Sequence, residues 1–67
     1  MITVTVNGEA RQFEAALHFD QLVERLGLAG KRIAVERNGE IVPRSQFCTR
    51  ALADGDRLEI VVAVGGG

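Results

Sequence analysis

The chain lacks most of the residues that build an internal reactive centre. Its 67 residues include no tryptophan or tyrosine, and only one histidine, one cysteine and one proline. A single cysteine cannot form an internal disulfide, and there is no second histidine or paired cysteine for a metal site. A chain this short builds one small core, with little room for an enclosed pocket. These absences favour the reducing cytoplasm as its compartment.

An excess of one charge and a long apolar run are also missing. The net charge is -1, and the only aromatic residues are three phenylalanines. The chain therefore has neither the basic stripe nor the aromatic platform that nucleic-acid binding needs. No apolar run approaches the roughly 20 residues of a membrane span, and the first residues lack the layout of a signal peptide. We expect no nucleic-acid or membrane partner.

The first residues carry the pattern of a β-hairpin. Ile2, Val4 and Val6 alternate with threonines, which predicts a half-buried strand. Asn7-Gly8 follows, a pair typical of two-residue hairpin turns, and predicts a return strand over residues 10–14. The same signals predict strands at residues 33–37 and 40–42 around Asn38-Gly39, and a last strand at 57–64 after Asp54-Gly55.

One helix is expected, over residues 19–26. His18 is placed as its N-cap, and Leu17 and Leu22 are spaced for a hydrophobic staple. Gly27 is placed to end the helix in the left-handed conformation. Residues 44–53 are expected to form a loop with a helical turn around residues 51–52.

These elements predict an α+β domain over residues 1–64, in which the helix packs across one face of a mixed sheet of four to five strands. The first and last strands are the most apolar and are best placed side by side at the centre, where they would run parallel.

The last predicted strand has two faces of different character. Leu58, Ile60, Val62 and Val64 are expected to face the helix, which leaves Val61 and Ala63 on the open face. An apolar patch there could bind a partner protein. The alternative is that Val61 and Ala63 are ordinary half-buried sheet residues.

The strand leads directly into Gly65, Gly66 and Gly67. We expect residues 65–67 to form a flexible tail, free of side chains, that can thread into a narrow slot on another protein. Three residues reach roughly 10 Å beyond the strand. The alternative is a frayed chain end without a function.

The chain as a whole resembles the β-grasp fold of ubiquitin-like proteins. In particular it resembles the sulfur carrier family of thiazole synthesis in thiamine biosynthesis. The resemblance covers essentially the whole sequence. Its most specific parts are Val-Pro-Arg-Ser-Gln at residues 42–46 and the terminal glycines, supported by residues 51–61 and by the opening strand that reaches Asn7-Gly8.

The resemblance implies a carrier rather than an enzyme. In that family an E1-like adenylyltransferase activates the terminal glycine with ATP, and a sulfur-donating enzyme supplies the sulfur of the resulting thiocarboxylate. Thiazole synthase then receives the sulfur. Carried onto this sequence, the reacting carboxylate belongs to Gly67, and Gly65 and Gly66 thread into the partner. The carrier itself would bind no cofactor and would be a monomer when free.

The chain departs from the family pattern in one respect, since it ends in three glycines where the family has two. We interpret Gly65 as replacing the residue at the end of the strand, because the spacing from Asp54-Gly55 then fits without a shift. The alternative is that Gly67 is an added residue, which would place the reactive carboxylate one position too far out.

Two other functions are open at this point. The small subunit of molybdopterin synthase uses the same thiocarboxylate but belongs to a somewhat longer family, and a ubiquitin-like binding module would have no terminal chemistry.

Cys48 has no activating neighbour in sequence and is interpreted as a packing or inert surface residue. His18 is interpreted as a helix-start residue rather than a base.

Overall fold

The computed structural model describes residues 1–63 and contains five strands, one α-helix and one 3₁₀ turn. Val64 and the predicted glycine tail, residues 65–67, lie outside the described residues. The elements are β1 (Ile2–Val6), β2 (Glu9–Phe13), α1 (Phe19–Arg25), β3 (Ile33–Arg37), β4 (Glu40–Val42), the 3₁₀ turn (Arg44–Gln46) and β5 (Arg57–Val62).

Both hairpins turn through an asparagine followed by a glycine. Asn7 and Asn38 each have φ 50°, and Gly8 and Gly39 have φ 85° and 88°. Positive φ at both central residues matches the twist of the flanking strands, as the sequence predicts. Because the first turn uses only two residues, Val6 pairs directly with Glu9. The second strand therefore spans Glu9–Phe13, one residue earlier than the predicted 10–14.

The helix begins and ends where its capping residues stand. His18 is the N-cap, and its N–H donates to the Gln21 side chain at 2.9 Å. At the other end Gly27 has φ 74°, and the Gly27 and Leu28 N–H groups donate to the carbonyls of Glu24 and Val23. This pair of bonds satisfies carbonyls that would otherwise lack partners. Leu26 is the C-cap, so the helix ends at Arg25, one residue before its predicted end at residue 26.

The predicted helical turn at residues 51–52 is wrong. The turn instead follows Pro43, over Arg44–Gln46, where the fixed φ of proline prepares a tight turn. Ala51 is extended and forms a bridge with His18, and the Leu52 N–H donates to the Leu17 carbonyl at 2.7 Å. This pairing to the segment before the helix excludes a helical conformation there.

The sheet has the strand order β2-β1-β5-β3-β4. β5 is the central strand and pairs parallel with β1 and antiparallel with β3. The predicted parallel arrangement of the first and last strands is therefore confirmed.

One face of the sheet is covered by α1, and the core lies between them. Phe19 of the helix stacks on Phe47 of the following loop, with ring centroids 6.2 Å apart. The opposite face has no element packed on it among residues 1–63. The same part of the chain contains no helix long and apolar enough to cross a membrane. The buried core residues are Val4, Val6, Phe19, Leu22, Val23, Val35, Val42, Phe47, Leu52, Leu58 and Ile60.

Candidate functional site: the exit of the central strand

The end of β5 changes from buried to exposed within three residues. Leu58 and Ile60 are 0% and 6% exposed, whereas Val61 is 64% exposed. Val62, on the helix side, is 39% exposed, and Ala63 is exposed. The predicted alternation is confirmed for Leu58, Ile60 and Val61, because the first two are buried against the helix and Val61 is not. Val62 shares the helix side with its pair Ile33 but is partly exposed, and the side of Ala63 stays a prediction. We call residues 61–63 the strand exit.

β3 holds one flank of the strand exit throughout its length. Ala34 pairs with Val61 and Ile33 pairs with Val62. The Ala63 N–H donates to the Arg32 carbonyl at 2.9 Å, one residue beyond the end of β5. β3 therefore pairs with the main chain of the strand exit up to Ala63.

The other flank of the strand exit has a different partner. β1 and β5 share only two registered pairs, and the last is Val6 with Leu58. At Asn7 the main chain turns away from β5, but the Asn7 side chain contacts the backbone of Ile60. Asn7 Oδ1 accepts the Ile60 N–H at 2.7 Å, and Asn7 Nδ2 donates to the Ile60 carbonyl at 3.0 Å. Sequence reasoning assigned Asn7 to the turn alone and missed this contact.

The open face around Val61 combines apolar and acidic residues. Ala34, its cross-strand neighbour, is exposed, and Ile41 on the edge strand is 61% exposed. Between them, Glu36 and Glu59 lie directly opposite each other. Like charges in this position destabilise a sheet by a few tenths of a kcal/mol. The Glu36–Glu59 pair on the open face therefore does not favour the stability of the free chain.

The start of β5 is held by a polar cluster that sequence reasoning also missed. Asp56 is 5% exposed, and its Oδ2 lies 3.1 Å from Arg37 Nε and accepts the Ala53 N–H at 2.8 Å. Asn38 Nδ2 donates to Asp56 Oδ1 at 3.2 Å, and Asn38 Oδ1 accepts the Arg57 N–H at 2.9 Å. Both oxygens of the buried Asp56 carboxylate have hydrogen-bond donors, so we assign Asp56 a role in holding the fold.

The remaining candidate residues lie apart from the strand exit. Cys48 is exposed, on the helix side of the molecule beside Phe47 and residues of α1. His18 caps the helix, as predicted. Residues 1–63 hold no group of three or more His, Cys, Asp or Glu side chains that could bind a metal ion. The predicted site residues Gly65, Gly66 and Gly67 lie outside the described residues, and the binding roles of Val61 and Ala63 stay predictions.

A mixed five-stranded sheet with parallel first and last strands and one helix across one face defines a β-grasp domain of the ubiquitin-like class. A solved structure with this fold is the crystal structure of the thiamine biosynthesis protein ThiS from Geobacter metallireducens. It superposes with a TM-score of 0.82 at 32% identity, covering 98% of this chain and 100% of that one. The predicted fold class is confirmed.

Sequence comparison agrees with the structural one. The model of the ThiS family matches residues 4–67. A thiazole synthase of Paramagnetospirillum magneticum is 47% identical over 64 residues, which are 96% of this chain and 20% of that protein. The uncharacterized protein ycf40 of Pyropia yezoensis is 33% identical over 66 residues, which cover 98% of this chain and 93% of that protein.

The chain belongs to the ThiS family, a family of small sulfur carriers of thiamine biosynthesis. The expected family is thereby confirmed. The chain spans about a fifth of the length of the first curated relatives it matches, which are called thiazole synthases.

Proposed function

We propose that this chain carries sulfur as a thiocarboxylate on Gly67 and donates it for thiazole formation. The observation that carries the proposal is the strand exit, where the central strand leaves the core at Ile60 and continues exposed through Val61 and Ala63 toward the C-terminal glycines. Four residues follow Ala63. Fully extended, they span at most about 14 Å, enough to enter a cleft in a partner while the domain stays outside.

The proposed chemistry begins with a carboxylate, which is a poor acyl donor. An oxygen of the Gly67 carboxylate attacks the α-phosphorus of ATP, pyrophosphate leaves, and an acyl adenylate forms. A hydrosulfide ion (HS⁻) delivered by the donor enzyme then attacks the carbonyl carbon, AMP leaves with its electron pair, and loss of the proton on sulfur leaves the thiocarboxylate. The adenylating partner consumes the ATP, and the carrier needs no bound cofactor. Glycine places the least steric hindrance around the carbonyl under attack.

The family assignment supports a thiazole synthase as the acceptor. In relatives that are themselves called thiazole synthases, the counterpart of this chain makes up about a fifth of the protein. A carrier within the same chain as the synthase is held near it, which raises its effective concentration. We propose that the present chain delivers sulfur to the same class of enzyme. An E1-like adenylyltransferase and a sulfur-donating enzyme complete the expected partners, in the reducing cytoplasm.

We assign partner binding to Val61 and Ala63 with Gly65 and Gly66. Val61 is among the most exposed large hydrophobic residues and lies beside exposed Ala34. An apolar pair at this place gives a partner something to bury next to the chain end that it must process. Binding at the strand exit and threading of the glycines would then be one event.

The family match favours this function over the two alternatives. The similar solved structures are called thiamine biosynthesis proteins, and the family match extends to Gly67.

The test is removal of Gly66 and Gly67. Among residues 1–63, the buried hydrophobic residues all lie between Val4 and Ile60, so the truncated chain should melt within about 1 °C of the full chain. It should support no thiazole formation. A matched control adds one glycine after Gly67, which moves the carboxylate by about 3.5 Å and should also leave the melting temperature unchanged. A truncated chain that still supports thiazole formation would refute the carrier role.

A further inference from the structure

The two Asn-Gly turns contact the central strand at two different points. Asn38 holds the start of β5, since its Oδ1 accepts the Arg57 N–H at 2.9 Å. Asn7 holds the strand two residues before its end, since the Asn7 side chain bonds both backbone groups of Ile60, at 2.7 and 3.0 Å. Both asparagines have φ 50° and both are followed by a glycine. The same dipeptide therefore performs two jobs that differ in their distance from the strand exit.

Asn7 substitutes for a piece of missing strand. The Thr5 N–H donates to the Asp56 carbonyl and the Asn7 N–H donates to the Leu58 carbonyl, both at 2.9 Å, as in a parallel ladder. The next acceptor in that ladder would be the main-chain carbonyl of Asn7, but the chain has already turned toward β2. The side-chain amide provides both an acceptor and a donor at the place where a peptide group would stand.

The contact with Ile60 is the last one on this flank. Among the described residues, β1 makes no pairing with Val61, Val62 or Ala63, whereas β3 follows the strand exit to Ala63. A strand held on one flank only can swing about that flank. Two bonds on the opposite flank, made one residue before Val61, define the direction in which the chain leaves the sheet.

We propose that Asn7 is a positioning residue for the sulfur-loading reaction. It sets the path by which the strand exit delivers Gly67 to the adenylating partner. The inference rests on the proposed function and adds to it a residue 60 positions away in sequence from the reacting carboxylate. Misplacement of a reacting group by about 1 Å can lower a rate by about 100-fold.

The experiment compares Asn7→Gly with Asn38→Gly. Glycine adopts positive φ freely, so each variant keeps its turn and loses only the side-chain amide. Asn7→Gly loses two hydrogen bonds to Ile60, and Asn38→Gly loses one to Asp56 and one to Arg57. Because each variant loses two bonds, both should lower the melting temperature to a similar extent. The readouts are kcat and KM for thiocarboxylate formation with the adenylating partner, ATP and a sulfur donor, with each chain as substrate.

We expect Asn7→Gly to lower kcat by about 10- to 100-fold with KM unchanged, because Val61 is still held by β3. We expect Asn38→Gly to leave kcat unchanged. Amide hydrogen exchange on the free chains gives a second readout, in which Asn7→Gly speeds exchange of the Ile60 N–H more than Asn38→Gly does. If Asn7→Gly does not fold, Asn7→Asp decides, because it keeps the acceptor and loses the donor to the Ile60 carbonyl.

The outcomes separate this inference from the function on which it rests. A wild-type chain that gains no sulfur would overturn the proposed function, and this inference with it. A wild-type chain that gains sulfur, beside an Asn7→Gly chain that gains it equally fast, would overturn this inference alone. Equal losses of kcat in Asn7→Gly and Asn38→Gly would also overturn it, since general destabilisation would then explain both.

Discussion

At the scale of single residues, Asp56 shows how a buried carboxylate organises this small domain. Its two oxygens receive the Ala53 N–H, the Asn38 side chain and Arg37 Nε. These groups come from the loop before β5 and from the end of the neighbouring hairpin. The Asp56 side chain thus joins the loop before β5 to the β3–β4 hairpin at the place where the central strand begins.

Replacing Asp56 by alanine should lower the free energy of unfolding by about 3 kcal/mol, because it leaves Arg37 and two donors without their acceptor. Chemical denaturation measures the change. Glu14→Ala is the control, since Glu14 is an exposed acid, and it should change stability by less than about 0.5 kcal/mol. Similar losses in the two variants would show that the Asp56 cluster adds little.

Val61 and Ile60 are neighbours in sequence with opposite environments, at 64% and 6% exposure. Val61→Asp should weaken binding to the adenylating partner by roughly tenfold or more, because the carboxylate stays hydrated in the free chain and loses water in the complex. Its melting temperature should fall only modestly. Binding measurements and thermal melts test both expectations.

Ile60→Asp is the matched control, because it places the same charge one residue earlier, in the core. This chain should not fold, since a small core cannot accommodate an unpaired carboxylate. A folded Ile60→Asp chain beside an unfolded Val61→Asp chain would mean that the strand faces the other way.

Residue-scale contacts were the part of the structure least accessible from sequence. Asn7 and Ile60 are separated by 53 positions, and Asn38 and Arg57 by 19. Both asparagines carry the same local signal, an Asn-Gly turn, and nothing local distinguishes their distant partners. The buried Asp56 lies in an Asp-Gly-Asp segment that predicts only a turn. Such contacts depend on which strands become neighbours.

At the scale of elements, the sequence predicted most boundaries to within a residue or two. The helix was accessible because both of its ends carry local signals, at His18 and Gly27. The 3₁₀ turn after Pro43 was misplaced because the competing pairing of Ala51 with His18 is not local. The predicted last strand, 57–64, ends at Val62 within the described residues.

Gly27→Ala tests the helix end directly. Gly27 has φ 74°, and a Cβ there would meet no atom within 4 Å, so any cost comes from the backbone conformation alone. We expect a loss of about 1 kcal/mol, or about 5 °C in melting temperature. Gly27→Asn should cost less, because asparagine tolerates left-handed φ. Equal stability of the alanine variant and the wild type would contradict this account of the helix end.

At the scale of the whole molecule, the fold separates stability from function. The helix covers one sheet face and encloses the core, while the other face and the strand exit are exposed. A domain built in this way keeps its core when a partner takes its chain end. In the proposed function the partners would supply the reaction centre, and this chain would supply only the attachment point.

The most direct test of the central claim is the intact mass of the chain after incubation with an E1-like adenylyltransferase, ATP and a sulfur donor. We expect the mass increase that replacement of one oxygen by sulfur gives, located by fragmentation on Gly67. The adenylyltransferase must be shown to be active in the same sample on a carrier that it is known to adenylate. An unchanged mass in the presence of that active enzyme, or a sulfur located on Cys48 instead, would contradict the account.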